Sequence, residues 1–372
     1  MGAFVGGCEN WSMVGLLAPS RFFDYHVVLA YVDQCRPRRS IQPEIEEELM
    51  KNLLKAQDLK AYYRLVGGTE IRAVDGVTLQ LRPHEVLGIA GESGCGKSTL
   101  AAVMSLTHNP PLRVMDGLIM ANGSNLLSLP PEQVRRKIKG TYISVVPQGA
   151  MNALNPTQRV RNFAIDMLQE HHPEMKKSEA TDLAQSRLTD LSLPVRVLDS
   201  YPHELSGGMK QRAIIVLSTL LDPKVLIADE PTSALDVSSQ RSVIRLLLTL
   251  LGEGIITSIA FITHELPLLR QVADRIAIMY AGKLVEVGTM EEIIFDPRHP
   301  YTKALMGSML VPEKHVREQR IEAIPGVPPD LKNPPDGCRF HPRCPRRQEI
   351  CSREEPLAKT VGDRTTWCWL MQ

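Results

Sequence analysis

The strongest constraint on the fold is the string GESGCGKS at residues 91–98, which fits the pattern G-x-x-x-x-G-K-[ST]. It stands between an apolar run at residues 85–90 and a helix-forming stretch from residue 99, as a phosphate-binding loop requires. The backbone N–H groups of such a loop turn inward around phosphate oxygens, and the following helix start adds favourable partial charge. We therefore predict a nucleotide-phosphate site formed by Gly91, Ser93, Gly94, Cys95, Gly96, Lys97, Ser98 and Thr99.

Two side chains of this loop and two carboxylates further along have chemical roles of their own. Lys97 supplies a point charge to the terminal phosphates, and the Ser98 hydroxyl can complete the coordination of Mg²⁺. Asp229 and Glu230 follow the apolar residues 225–228, and a carboxylate at the end of a buried strand can hold Mg²⁺. We predict that Asp229 binds this ion and that Glu230 polarises the attacking water as general base.

The charge balance and the hydropathy exclude several classes of protein. Lys and Arg number 43 against 42 Asp and Glu, so the chain has a net charge of +1 and lacks the basic excess of polyanion binders. No apolar run approaches the ~18–20 residues that span a bilayer, and the first residues lack the basic start of a signal peptide. We expect no nucleic-acid partner, and a chain that is soluble in the cytosol or peripheral to a membrane.

Apolar runs and helical segments alternate along the chain. Residues 225–228 and 259–262 have the pattern of buried strands, and residues 238–251 have that of a helix, so the alternation predicts an α/β layered fold. Residues 55–81 are predicted to form short strands with turns. Residues 158–200 are helical in pattern and polar enough for a surface subdomain.

Residues 205–212, LSGGMKQR, resemble the signature of the ABC-type ATPases. Other elements of that family occur in the expected order. Gln148 is similar to the Q-loop glutamine, residues 233–236 (SALD) to the D-loop, and His264 to the switch histidine. Tyr63 is similar to the aromatic residue that stacks on adenine, with the neighbouring Tyr62 as the alternative. The resemblance covers about residues 53–368.

This resemblance implies a fold and a composite active site. The fold is α/β, a phosphate-loop NTPase core of ABC type with a RecA-like α/β core, an antiparallel β subdomain and a helical subdomain. Two cassettes dimerise head to tail, so that each ATP lies between the phosphate loop of one and the signature of the other. The implied residues are Glu230, His264 and Gln148 for catalysis, Ser98, Gln148 and Asp229 for Mg²⁺, and Ser206, Gly207, Gly208 and Asp236 for the nucleotide.

Three further stretches resemble the ATPases of oligopeptide and dipeptide importers: residues 146–156, residues 296–305 and the Cys-rich end from residue 337. This resemblance implies the ATP-hydrolysing subunit of an importer, at the cytoplasmic face of the membrane. Its implied partners are two transmembrane permease subunits, a second ATPase subunit forming a heterodimer, and an extracytoplasmic solute-binding protein. Peptides are the first expected solute, with nickel chelates and oligosaccharides as variants.

The competing hypothesis is a soluble ABC ATPase that acts on ribosomes or DNA. Such proteins usually carry two cassettes in one chain or a long coiled-coil insertion. This chain has one phosphate loop, one signature and a short helical insertion. These features and the neutral charge favour the importer.

Four of the seven cysteines crowd the end of the chain with the spacing C-x5-C-x6-C-x16-C: Cys338, Cys344, Cys351 and Cys368. In a large cytosolic protein this pattern is more typical of a metal site than of disulfides. Four thiolates can hold a [4Fe–4S] cluster or close a Zn²⁺ site. The resemblance favours iron–sulfur, with zinc and unliganded thiols as alternatives. The nearby arginines are expected to offset the cluster's charge: Arg339, Arg343, Arg346 and Arg347.

The chain is predicted to have three parts. Residues 1–49 form an extension, which is either a poorly ordered tail or lies upstream of a start at Met50. Residues 50–310 form the ATPase domain, with a helical subdomain at about 150–212. Residues 311–372 form a small irregular Cys-rich extension, tethered by a proline-rich arm over residues 311–335.

Overall fold

The computed structural model describes residues 53–308 and 324–372. The predictions for residues 1–49, including the start at Met50, lie outside the described residues. So does the greater part of the proline-rich arm. The boundaries of the three predicted parts stay predictions.

The smaller sheet is antiparallel and packs over the phosphate loop's helix. Its strands, in the spatial order β2-β1-β4-β5, are β1 (Leu54–Arg64), β2 (Glu70–Leu81), β4 (Leu112–Ala121) and β5 (Ser124–Asn125). The prediction of several short strands over residues 55–81 was wrong, because two long strands are present. Irregular register near Asp58, which has a φ of 43°, breaks the alternation of buried and exposed residues. A single bulged strand therefore looks like shorter pieces in the sequence.

The larger sheet is the centre of the protein. Over the two described ranges it has eight strands in the order β11-β12-β10-β9-β3-β8-β7-β6. The strands are β3 (Val86–Ala90), β6 (Ile143–Val146), β7 (Val225–Asp229), β8 (Ser258–Ile262), β9 (Arg275–Tyr280), β10 (Lys283–Thr289), β11 (Ala358–Val361) and β12 (Arg364–Trp367). The five from β9 to β6 pair in parallel, and β3, β7, β8 and β9 are buried along their whole length. This is why those segments read as continuous apolar runs.

Helices connect and cover these strands. They are α1 (Lys97–Met104), α2 (Pro131–Gln133), α3 (Val160–His171), α4 (Lys177–Asp190), α5 (Gly207–Ser218), α6 (Val237–Gly252), α7 (Leu266–Val272), α8 (Met290–Phe295) and α9 (Pro300–Gly307). The α/β layering is confirmed. Helices α3 and α4 lie within the predicted helical stretch, between β6 and β7 in the chain.

The C-terminal extension is more regular than predicted. Strands β11 and β12 form a hairpin, and β12 pairs antiparallel with β10, so the end of the chain continues the central sheet. Arg364 of β12 is 1% exposed and pairs with Glu286 of β10, whose side chain is fully buried, at 2.5 Å. The short length of β11 and β12 explains why no strand pattern was visible in the sequence.

Candidate nucleotide site

The phosphate loop joins the end of β3 to the start of α1, where a helix N-terminus faces the carboxyl edge of the sheet. Two of its glycines are required by close packing. A Cβ on Gly91 would lie 2.1 Å from the Met279 carbonyl oxygen, and one on Gly96 would lie 2.0 Å from that of Ala73. Gly96 also has a φ of 107°, in the region that favours glycine.

Lys97 is buried within this loop. Its ammonium donates to the carbonyl oxygens of Gly91 at 2.8 Å and Glu92 at 3.0 Å. A buried ammonium held by neutral carbonyls carries its charge uncompensated, which makes the pocket attractive to anions. Cys95 has its side chain buried, and burial raises the pKa of its thiol, so it serves as packing inside the loop.

An open pocket of about 430 Å³ lies in front of the loop. Nine of the predicted residues line it: Tyr63, Ser93, Gly94, Gly96, Lys97, Ser98, Thr99, Gln148 and Glu230. Four other lining residues, all apolar, were not predicted from the sequence: Leu65, Ile71, Ala73 and Leu331. Three of them precede the loop in the chain, and Leu331 comes from the C-terminal extension.

Of the two candidate aromatic residues, Tyr63 is the one at the pocket. Its hydroxyl lies 3.2 Å from the Thr99 hydroxyl, just beyond the phosphate loop. The Tyr62 hydroxyl instead donates to the Asp75 carboxylate at 2.5 Å. Adjacent residues on a strand point to opposite faces, so only one of the two can reach the pocket.

The three predicted catalytic residues meet at the carboxylate of one of them, Glu230. Glu230 follows β7 with a φ of 48° and accepts hydrogen bonds from Gln148 Nε2 at 3.1 Å and His264 Nδ1 at 2.8 Å. Because these residues follow the parallel strands β6, β7 and β8, their side chains come together at the same edge of the sheet.

Asp229, the last residue of β7, is buried and carries an oxygen without a partner among the described residues. Burial raises the pKa of this carboxyl, and the hydrogen bond with Ser98 opposes that shift. An unpartnered buried carboxylate oxygen beside a serine hydroxyl is an oxygen donor set of the kind Mg²⁺ prefers. The residues present therefore fit the predicted ion.

The signature residues and Asp236 of the D-loop form a second group. Ser206 caps α5 and accepts from the Met209 N–H at 3.3 Å, while Asp236 caps α6. Hydrogen bonds from Ser238 and Ser239 lower the pKa of Asp236. The two helix starts are packed tightly, since a Cβ on Gly208 would lie 2.6 Å from the Ser239 hydroxyl.

Within the described ranges, none of Ser206, Gly207, Gly208 and Asp236 lines the pocket of the phosphate loop. A single chain therefore presents a phosphate loop at one place and a capped helix N-terminus at another. Each is suited to an anion.

The four late cysteines gather in the extension. The Cys338 N–H donates to the Cys351 carbonyl oxygen at 2.8 Å. Burial, together with a smaller effect of the neighbouring thiols, raises the pKa of Cys338 to about 12 and that of Cys368 to about 11. In the part of the chain that the structure describes, however, no group of three or more His, Cys, Asp or Glu side chains is arranged to hold a metal ion. The predicted iron–sulfur cluster and its zinc alternative are thus not confirmed.

The expected role of the nearby arginines was partly wrong. Arg346 and Arg347 do act on a cysteine, since both lower the pKa of Cys344 against the larger effect of burial. Arg339 and Arg343 instead form ion pairs with Asp75 and Glu92, carboxylates more than 200 positions away in the sequence. Nothing in the local sequence signals such long-range pairs.

Comparison with known proteins agrees with this geometry. A family model described as "ABC transporter" matches residues 74–233, and one described as "Oligopeptide/dipeptide transporter, C-terminal region" matches residues 285–351. The dipeptide transport ATP-binding protein DppD of Caldanaerobacter subterraneus subsp. tengcongensis is 42% identical over 308 residues, which are 82% of this chain and 93% of that protein. The oligopeptide transport ATP-binding protein OppD of Bacillus subtilis is 42% identical over 315 residues, 84% of this chain and 86% of that protein.

A solved structure of the ATP-binding cassette MJ0796 superposes with a TM-score of 0.56 at 24% identity, covering 64% of this chain and 98% of that one. This likeness confirms the predicted cassette fold. Across the described residues, the structure contains no helix with the length and apolar character needed to cross a membrane.

Proposed function

Because this chain belongs to the ATP-binding subunits of oligopeptide and dipeptide ABC transporters, we propose that it hydrolyses ATP to drive peptide uptake through separate membrane-spanning subunits. The observation that supports this most strongly is that Gln148 and His264 both hydrogen-bond to the Glu230 carboxylate. Glu230 itself lines the pocket of the phosphate loop. The relatives named above favour the importer over an ATPase that acts on ribosomes or DNA.

The residues of the pocket divide the chemistry among them. Lys97 and the loop N–H groups bind the phosphates, and Tyr63 stacks on the base. Ser98, Asp229 and Gln148 would hold Mg²⁺, which neutralises charge on the transferred phosphoryl group when bound. Glu230 accepts the proton of the attacking water, and His264 orients that carboxylate while reaching the terminal phosphate.

The signature supplies the other half of the site. The signature of a facing cassette would close over the terminal phosphate bound here, because a helix N-terminus favours anions. Ser206, Gly207, Gly208 and Asp236 of this chain would close in the same way over the phosphate that the facing cassette binds. Hydrolysis then removes the terminal phosphate whose charge joins the two cassettes. The cassettes can separate, and this couples the chemical step to a conformational change. The facing cassette is proposed to be a second, different ATPase subunit.

The proposed assembly also includes two permease subunits and an extracytoplasmic solute-binding protein. The chain would sit at the cytoplasmic face of the membrane, with residues 50–310 as ATPase domain and 311–372 as extension. Purification of the tagged chain from gently solubilised membranes should recover the permeases, and vesicles containing the complex should accumulate peptides when ATP faces this chain. Recovery of ribosomes or DNA without permeases would contradict the importer.

The four cysteines are proposed to hold a [4Fe–4S] cluster. What supports this is the type of donor: four thiols that influence one another's pKa, with Arg346 and Arg347 acting on Cys344, are the ligands that such a cluster takes. The described side chains are not arranged around a common metal position, so binding would require them to rearrange. Two of the thiols, Cys351 and Cys368, are buried, which suits a structural cluster.

Purification without oxygen is expected to give a brown protein with about four iron atoms per chain. The substitution Cys344→Ser should lower the iron content, because it removes one donor. Cys95→Ser, the same change at a buried cysteine of the phosphate loop, should leave the iron content as in the wild type. Colourless protein that contains zinc, or that has all four thiols free, would contradict the cluster.

A further inference from the structure

The C-terminal extension reaches the nucleotide pocket. Leu331, which is 258 positions after Ala73 in the sequence, lines the same pocket as Ala73, Tyr63 and Ile71. Its carbonyl oxygen accepts a hydrogen bond from the Arg72 N–H at 3.0 Å, which fixes this part of the extension beside β2. Leu331 also packs against the larger hydrophobic core, and this packing helps to fix its position at the pocket.

Arg343 attaches the extension to the phosphate loop itself. Its guanidinium donates to both carboxylate oxygens of Glu92, at 2.7 and 3.0 Å, and to the Tyr280 hydroxyl at 3.2 Å. The Arg343 side chain is 6% exposed, and the hydrogen bond to Glu92 raises its pKa. The backbone carbonyl oxygen of Glu92 accepts a hydrogen bond from the Lys97 ammonium. Glu92 therefore contacts both Arg343 and the lysine that binds phosphate.

Arg339 forms a second anchor beside the first. Its guanidinium, 5% exposed, donates to the Asp75 carboxylate of β2 and to the Ala281 carbonyl oxygen. Breaking a buried pair of this kind is strongly unfavourable, because it leaves an uncompensated charge. With two such anchors and the Arg72 hydrogen bond, the extension is held rigidly against the pocket.

The chemistry of the pocket differs between its two ends. Lys97 and Ser98 belong to the phosphate loop, while Ile71 and Leu331 supply apolar surface. Ile71 pairs with Tyr63 across β1 and β2, and Leu331 is bonded to the backbone of the residue after Ile71. A purine base binds by stacking and by burial of its flat faces, and it needs little charge. The apolar end of the pocket therefore fits the base.

We propose that the C-terminal extension is part of the nucleotide site, with Leu331 forming a wall for the adenine base. This inference rests on the proposed function, because it takes ATP as the ligand. It gives the extension a role in binding the base of the same nucleotide whose phosphates this chain's phosphate loop holds. Arg339 and Arg343 are positioning residues, since they act by holding this wall and the loop together.

The test is the affinity of the full-length protein for two ligands, ATP and inorganic tripolyphosphate. Leu331→Ala should weaken ATP binding roughly fivefold to twentyfold, because it removes a few apolar carbons from contact with the base. Tripolyphosphate has no base, so its affinity should not change. Leu331→Met, which keeps an apolar side chain of similar volume, should bind ATP nearly as the wild type does.

Val327→Ala is the matched control, because Val327 lies in the same segment but is 81% exposed. It should leave both affinities unchanged. Unchanged ATP affinity in Leu331→Ala would overturn the inference while the proposed function stands. An equal loss for both ligands would also overturn it, since that pattern indicates a distorted loop. Wild-type protein that fails to bind ATP would instead contradict the proposed function.

Discussion

Substitution of Glu230 by glutamine is expected to abolish ATP turnover while ATP stays bound. The amide keeps the size of the carboxylate and one of its two acceptor oxygens, but it cannot accept the proton of the attacking water. A positioned general base contributes roughly 10²- to 10⁴-fold to a rate, so a loss of at least about 100-fold is expected. Phosphate release by the assembled transporter and the nucleotide retained after gel filtration measure the two effects separately.

The control for this substitution is Glu253→Gln, the same chemical change at an exposed residue that caps the C-terminus of α6. It should have the wild-type rate. The side chain of Glu230 is only 16% exposed and accepts hydrogen bonds from both Gln148 and His264. Loss of its charge should therefore lower the rate of the chemical step. A Glu230→Gln protein that turns over at close to the wild-type rate would remove Glu230 from the role of base.

The second large effect is expected at Ser206, which does not line the pocket of the phosphate loop. Ser206→Asp keeps an oxygen that can cap α5, so the helix should remain stable. The aspartate, however, places a negative charge where the terminal phosphate of the facing site is proposed to bind. Two like charges about 4 Å apart repel by about 4 kcal/mol at an effective dielectric constant near 20. ATP turnover at the site that Ser206 completes should therefore fall by about 100-fold or more.

Ser206→Thr is the conservative control, because it keeps both the cap and the neutral hydroxyl. It should retain most of the activity. The isolated Ser206→Asp chain should bind ATP at its own phosphate loop with unchanged affinity, since Ser206 does not line that pocket. Normal turnover in the Ser206→Asp assembly would mean that the signature takes no part in hydrolysis.

The phosphate-binding part of the pocket could be predicted because its residues are continuous in the sequence. The phosphate loop needs only the order of residues 91–98 and a strand and helix on either side. The meeting of Gln148, Glu230 and His264 was also predictable. Each follows a buried apolar run, and parallel strands bring their ends to one edge of the sheet.

The contacts of the extension could not be predicted for the opposite reason. Arg343 and Glu92 are 251 positions apart, and an arginine in a polar, proline-rich stretch is normally exposed. Its burial comes with its contacts to Glu92 of the phosphate loop and Tyr280 of β9, both distant in the sequence. A two-residue ladder such as Glu286 with Thr366 and Val287 with Thr365 leaves no periodic pattern in the sequence.

The most direct measurement is an experimental structure of the assembled transporter that carries Glu230→Gln and is saturated with ATP and Mg²⁺. The phosphate tail bound to Lys97 of this chain should also contact the signature serine of the facing cassette, with the base against Tyr63. A triphosphate that is enclosed by one cassette alone, with the facing signature distant from it, would contradict the account.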